Sequence, residues 1–238
     1  MKRWGHMAKT FTKIGKEITI AVKQGGPDVV GNSRLRALMA EARSENMPKD
    51  NIEKAIKRAL EKNQGDFKEV VFEGYGPHGI AYLVETATDN NTRTVANVRS
   101  YFTKCGGSLG TSGSVSFMFD HKCVFRIKYQ EGMDIDDLQL ALCDCDDDPE
   151  VFIEEQEDKD ENITKNVVIY GAYESYGAIQ KYIEDNGYEL VSGGFERIPN
   201  VDLKDVTPEQ RETLDKLTGL LEDDDDVTNV YNTLKPAE

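Results

Sequence analysis

The chain has little that could anchor, cross-link or cut. Its 238 residues include 4 cysteines, 3 histidines, 7 prolines and one tryptophan. The longest clear apolar run, Val167–Tyr170, is far short of the roughly 18 residues a membrane-crossing helix needs, which excludes a transmembrane reading. Lys9, Lys13, Lys16 and Glu17 interrupt the first apolar stretch and no small-residue cleavage site follows, which argues against a secretory signal. Cys105, Cys123, Cys143 and Cys145 keep no disulfide-framework spacing, so a reducing cytoplasm is the expected compartment. His6, His78 and His121 stand in separate segments without patterned Ser, Cys or Asp partners, so no catalytic triad is indicated and no enzyme is expected. With 38% hydrophobic and 31% charged residues the chain is neither disordered nor fibrous. At roughly 100–200 residues per domain, its length suggests two domains, or three small ones.

Positive charge is scarce overall, with 29 Lys+Arg against 44 Asp+Glu and a formal net charge of -15. It is not evenly spread. Residues 1–62 hold 14 basic against 7 acidic side chains, leaving 15 against 37 for the rest, so a basic head precedes an acidic body.

The head reads as three helices. Phe11, Ile14, Gly15, Ile18 and Val22 recur at helical spacing, with Lys9, Lys13, Lys16 and Lys23 on the opposite side, until Gly25-Gly26-Pro27 stops the helix. Ser33 is a candidate cap for a second helix that turns Leu35, Leu38, Met39 and Ala42 inward and Arg36 and Arg43 outward. Pro48 suits the first position of a third, with Ile52, Ala55, Ile56, Ala59 and Leu60 as its apolar stripe and Lys54, Lys57 and Arg58 on its far face. Each cationic face could simply be solvated helix surface. Their repetition on one small module, with Lys2, Arg3 and Trp4 as a basic arm, points instead to a line of phosphates, whose counterions such a surface releases. The candidate nucleic-acid contacts are therefore Lys2, Arg3, Lys9, Lys13, Lys16, Lys23, Arg36, Arg43, Lys54, Lys57 and Arg58. The opposed charges also suggest that head and body dock on one another when no ligand is present.

The body reads as two α/β units. Val70–Phe72 and Ile80–Thr86 form a hairpin across Gly74–Gly79, a helix capped by Asn90 or Asn91 ends at Gly106-Gly107, and Val115–Phe119 returns as a strand. Residues 122–198 follow as βαββαβ, the order of a ferredoxin-like unit. A helix from Pro208 and a strand near Val227–Tyr231 then complete the first unit. The expected fold is α+β: a three-helix domain (1–65), a discontinuous α/β domain (66–121 plus 199–238) and a ferredoxin-like domain (122–198) inserted in it.

Other candidate chemistry is weak. The glycine-rich stretch from Gly106 to Ser114 lacks the lysine of a phosphate loop and follows a helix where such a loop should open one. Asp144, Asp146, Asp148 and Glu155 fit calcium-loop positions, but Pro149 replaces the required glycine and a strand follows. Cys143-x-Cys145 has no second pair, so no metal or cofactor is expected. The acidic runs Glu154–Glu161 and Asp223–Asp226 read most simply as solvated loops, with contact to a basic partner such as a ribosomal protein as the alternative.

Several strings carry a resemblance. Thr12-Lys13-Ile14-Gly15-Lys16-Glu17-Ile18, Gly25-Gly26-Pro27-Asp28, Ala42-Arg43-Ser44-Glu45-Asn46-Met47-Pro48-Lys49-Asp50-Asn51-Ile52, Tyr75-Gly76-Pro77-His78-Gly79 and the run from Gly106 to Phe117 closely resemble the YebC/PmpR family. The resemblance implies a helical N-terminal domain and two α/β domains in a cytoplasmic protein. It implies a DNA-binding transcriptional regulator acting on promoter DNA, or, as in the mitochondrial relatives and some bacterial ones, a translation factor that meets ribosomal RNA, tRNA or the ribosome. No membrane partner is implied. Oligomeric state, target sequence and the role of the acidic domains are not legible.

Overall fold

The computed structural model describes residues 2–61, 66–157 and 163–237, with side chains for 7–61, 66–155 and 163–237. The fold is α+β, three N-terminal helices followed by two antiparallel four-stranded sheets with helices against them. Helix α1 (Lys2–Gly25) ends where Gly26 takes a φ of 83° just before Pro27. Helix α2 (Ser33–Ser44) is capped by Asn32, one place before the expected Ser33. An amide does more here than a hydroxyl: its oxygen accepts the Leu35 N–H at 3.0 Å, while its NH2 donates to the carbonyls of Ala21 and Gly26, each at 2.8 Å. Helix α3 (Lys49–Leu60) starts directly after Pro48, whose carbonyl accepts from Ile52, so the proline lies one place before the first helical position.

Strands β1 (Lys68–Tyr75) and β2 (Ala81–Thr88) form the expected hairpin, with Phe72 opposite Val84 and Tyr75 opposite Ala81. Helix α4 (Asn91–Lys104), capped by Asn90, leads to the two-residue strand β3 (Ser108–Leu109). The strand expected at Val115–Phe119 is not formed. Ser116–Met118 is a 3-10 turn, and the backbone N–H groups of Val115 and Ser116 donate to the Glu73 carboxylate, which removes them from any ladder. Strand β4 (Phe119–Lys128), helix α5 (Ile135–Leu142), strands β5 (Glu150–Glu157) and β6 (Ile163–Ala172), helix α6 (Tyr176–Asp185) and strand β7 (Leu190–Pro199) follow in βαββαβ order. Helix α7 (Pro208–Glu222), with a Thr207–Gln210 capping box, and strand β8 (Val227–Asn232) close the chain's path.

Described residues within Met1–Ile20, Glu53–Asp120 and Arg197–Glu238 make one compact unit, and those within Ala21–Ile52 and His121–Glu196 a second. The first holds a sheet of order β3-β1-β2-β8, so β8 completes the edge of a hairpin made far earlier in the chain. Tyr82, Val84, Val98, Phe102, Leu214, Leu217 and Leu221 pack between this sheet and α4 and α7, all of them essentially without solvent exposure. The second holds the order β5-β6-β4-β7, which is the ferredoxin-like arrangement. Phe125, Ile127, Leu138, Leu142, Val167, Ile169, Ile179 and Ile183 fill its core, and Ala37 of α2 joins them.

Candidate nucleic-acid interface

Lys9, Lys13 and Lys16 lie at i, i+4 and i+7 on α1, and the 3.6-residue period gathers them on one face as expected. That face is not open solvent. The Lys9 ammonium meets Asp223 Oδ1 at 2.7 Å, Lys13 donates to the Glu222 carbonyl at 2.7 Å, and Lys16 donates to the Asp225 carbonyl and to Asp226 Oδ1, both at 2.7 Å. Burial pulls the Lys13 ammonium below its usual value, although the Glu222 carboxylate opposes this. The acidic run expected to be a solvated loop is instead a docking strip for α1.

The other side of the strip is held by α4. Asp226 also takes Arg93 at 2.7 Å and the Thr94 hydroxyl at 2.8 Å, while Asp224 accepts from Tyr101 at 2.9 Å and Asn97 at 3.2 Å. Burial drives the Asp226 carboxyl up, but hydrogen bonds from Lys16, Arg93 and Thr94 outweigh it and hold the group down at about 2. Burial and the bond to Asp224 push the Tyr101 hydroxyl up to about 12. The only local sign of this network in the sequence was charge opposition between segments about 210 residues apart.

The remaining cations divide into engaged and open. Arg58 stacks over the Phe67 ring at 4.4 Å, and Lys16 lies 5.4 Å from the same ring, so one aromatic gathers cations from α1 and α3. Lys54 and Lys57 on α3 are exposed and have no ion pair among the described residues. In the second unit Arg36 donates to the carbonyls of Val29 and Val30 and pairs with Glu184 at 2.7 Å, and Arg34 donates to Gln24. Arg43 is exposed, and Lys23, although exposed, also has a partner. Lys2 and Arg3 belong to α1 by backbone, but their side chains lie outside the described residues.

The glycine-rich stretch does gather an anion, one supplied by the chain itself. Glu73 projects from β1 so that its carboxylate accepts the N–H groups of Gly113 at 2.7 Å and of Val115 and Ser116 at 2.8 Å. Burial raises this carboxyl, yet those three bonds more than offset it and leave it below its ordinary value. Close packing explains the glycines nearby: a Cβ on Gly107 would sit 2.6 Å from the Tyr75 carbonyl oxygen. Asp146, from the calcium-like spacing, is buried and accepts the N–H groups of Asp148 and Ala172. No group of three or more His, Cys, Asp or Glu side chains among the described residues is placed to hold a metal ion. The acidic run at Glu154 begins inside β5, where Glu154 pairs with Arg126 and Glu155 with Lys165, and its later part, 158–161, lies outside the described residues. No helix among the described residues is long and apolar enough to cross a membrane.

Two family models match the chain, "TACO1/YebC protein N-terminal domain" over residues 1–62 and "TACO1/YebC second and third domain" over residues 67–234. A protein of Parabacteroides distasonis named probable transcriptional regulatory protein is 59% identical over 98% of this chain and 92% of its own length. One of the same name from Porphyromonas gingivalis is 56% identical over 100% of this chain and 94% of its own. Among solved structures, a conserved hypothetical protein of Aquifex aeolicus superposes with a TM-score of 0.76 at 32% identity, covering 97% of this chain and 91% of that one.

Proposed function

We propose, from the premise that this chain belongs to the YebC/PmpR family, that it is a cytoplasmic, non-enzymatic regulator that binds nucleic acid through its N-terminal helices, with promoter DNA as its target. The observation that carries the reading is the pair Lys54 and Lys57, exposed on α3 without an ion pair among the described residues, in a head that is basic while the whole chain carries -15. Cations left open on an acidic protein are placed for phosphate and repel little of it locally. Arg43 offers the same chemistry in the second unit. The names of the relatives favour transcription as the process regulated.

A second reading is binding of ribosomal RNA or tRNA in translation, which the exposed Lys54 and Lys57 serve equally well, whereas Arg34 and Arg36 of α2 are already occupied by Gln24, by the carbonyls of Val29 and Val30, and by Glu184. Phosphate contacts position a protein without reading bases, and recognition by shape and 2′-OH groups suits RNA. The test is binding of wild type and of Lys54→Glu/Lys57→Glu to a promoter-length duplex and to ribosomes at two salt concentrations. On the DNA reading, duplex binding is sequence-selective, and the variant weakens it and flattens its salt slope by about 2. Ribosome association with only weak, unselective duplex binding favours the second reading. Unchanged affinity in the variant removes α3 from both.

A further inference from the structure

Three successive lysines on one face of α1 are met, each at 2.7 Å, by oxygens from residues 222–226. This is the pattern a phosphate backbone would present to the same lysines, a row of anionic or carbonyl oxygens at helical repeat. The row is graded. At its inner end the Lys16 and Asp226 side chains are 11% and 6% exposed, and Asp226 is also tied to Arg93 and Thr94. At its outer end Lys9 and Asp223 are 38% and 75% exposed.

We propose that residues 222–226 are a built-in competitor for the α1 lysines: nucleic acid engages Lys9 and Lys13 only by drawing their side chains away from Asp223 and from the Glu222 carbonyl, while Lys16 stays locked to Asp226. This rests on the nucleic-acid reading above and adds a regulatory contact to it. Because Asp224 and Asp226 are fixed on α4 through Tyr101, Asn97, Arg93 and Thr94, the strip stays in place and the outer lysine side chains do the moving. Anything that lowers the negative charge of the outer strip frees the lysines, so nucleic-acid affinity is set partly from within the chain.

The experiment compares wild type, Asp223→Asn/Asp225→Asn, and a charge-matched control, Asp136→Asn/Asp137→Asn on α5, for binding to a mixed-sequence duplex and to an RNA hairpin at two salt concentrations. The first variant should bind about two- to five-fold more tightly, the factor by which an exposed ion pair competes, because it removes the carboxylate that holds Lys9 and the neighbouring charge of Asp225 while leaving the carbonyls that hold Lys13 and Lys16. Its salt slope should steepen by about 0.9, for the one lysine freed. The control changes the net charge equally but removes no carboxylate that contacts an α1 lysine, and should stay near wild type. Adding Lys9→Gln to the first variant should cancel most of the gain. Equal gains in variant and control, or no gain in either, would overturn the competitor while leaving the nucleic-acid reading in force if wild type still binds and Lys54→Glu/Lys57→Glu still weakens it. Wild type that binds neither probe overturns both.

Discussion

Asp226→Asn removes the charge on which Lys16, Arg93 and Thr94 converge while keeping the side chain's size. The cost can be worked in two ways. The carboxyl's ordinary value is 3.8 and in the folded protein it lies at about 2; at 1.36 kcal/mol per pH unit that gap is worth roughly 2.5 kcal/mol. Taken from the partner's side, removing one member of a buried pair costs roughly 3–5 kcal/mol when the orphaned charge stays dry. Lys16 is 11% exposed and stays largely dry, whereas Arg93 is half exposed and retains Asp89 at 3.0 Å, so the lower part of that range applies. Both routes give about 2–4 kcal/mol, to be read from urea unfolding followed by circular dichroism at pH 7. The pH dependence has a definite sign. Because folding depresses this carboxyl, its stabilisation is complete above the unfolded value, where both states are ionised, and is lost as pH falls through the folded one. About half should be gone by pH 3, and the gap between wild type and variant should narrow accordingly. A variant within about 0.5 kcal/mol of wild type at pH 7, or a gap that stays constant down to pH 3, would refute the reasoning.

Glu73→Ala leaves the N–H groups of Gly113, Val115 and Ser116 without their acceptor and should cost roughly 2–4 kcal/mol. Amide exchange at 113–116 should accelerate well beyond that of β1; protection unchanged there would show that the loop holds itself. Asn32→Ala removes a helix cap and two donors to buried or half-buried carbonyls, so a loss of about 1–3 kcal/mol is expected in urea unfolding. An effect under a few tenths of a kcal/mol would mean that water replaces the amide at no cost.

The three head helices, the hairpin and the βαββαβ order were legible because each is written locally, in helical or alternating spacing and in breakers such as Gly25-Gly26-Pro27. What was not legible depends on partners distant in sequence. Val115–Phe119 has the apolar content of a strand, yet its ladder groups are claimed by a glutamate about 40 residues earlier, and the real edge strand, Ser108–Leu109, is too short to show any period. Asp223–Asp226 has the composition of a solvated loop, and only partners far away in sequence, Lys16 about 210 residues and Arg93 and Thr94 about 130 residues away, bury Asp226 and turn the run into a contact strip. The cationic positions on α1 and α3 could be read from spacing. Which of them are already occupied could not, because occupancy belongs to the tertiary fold.

The pairing of β2 with β8 also bears on how the chain is made. Leu83 faces Tyr231 and Val84 faces Val230, so the open edge of the hairpin waits for a strand synthesised about 140 residues later. At roughly 5–20 residues per second, the ribosome delivers that strand about 7–30 s after the hairpin emerges. Over that interval Tyr82, Val98 and Phe102 lack the α7 leucines that cover them, and Lys16 lacks Asp226. The ferredoxin-like strands and helices between are complete well before then. The nascent first unit is therefore the part with most need of a chaperone, and a ribosome stalled before Val227 would leave it with an uncovered core and an unpaired strand edge.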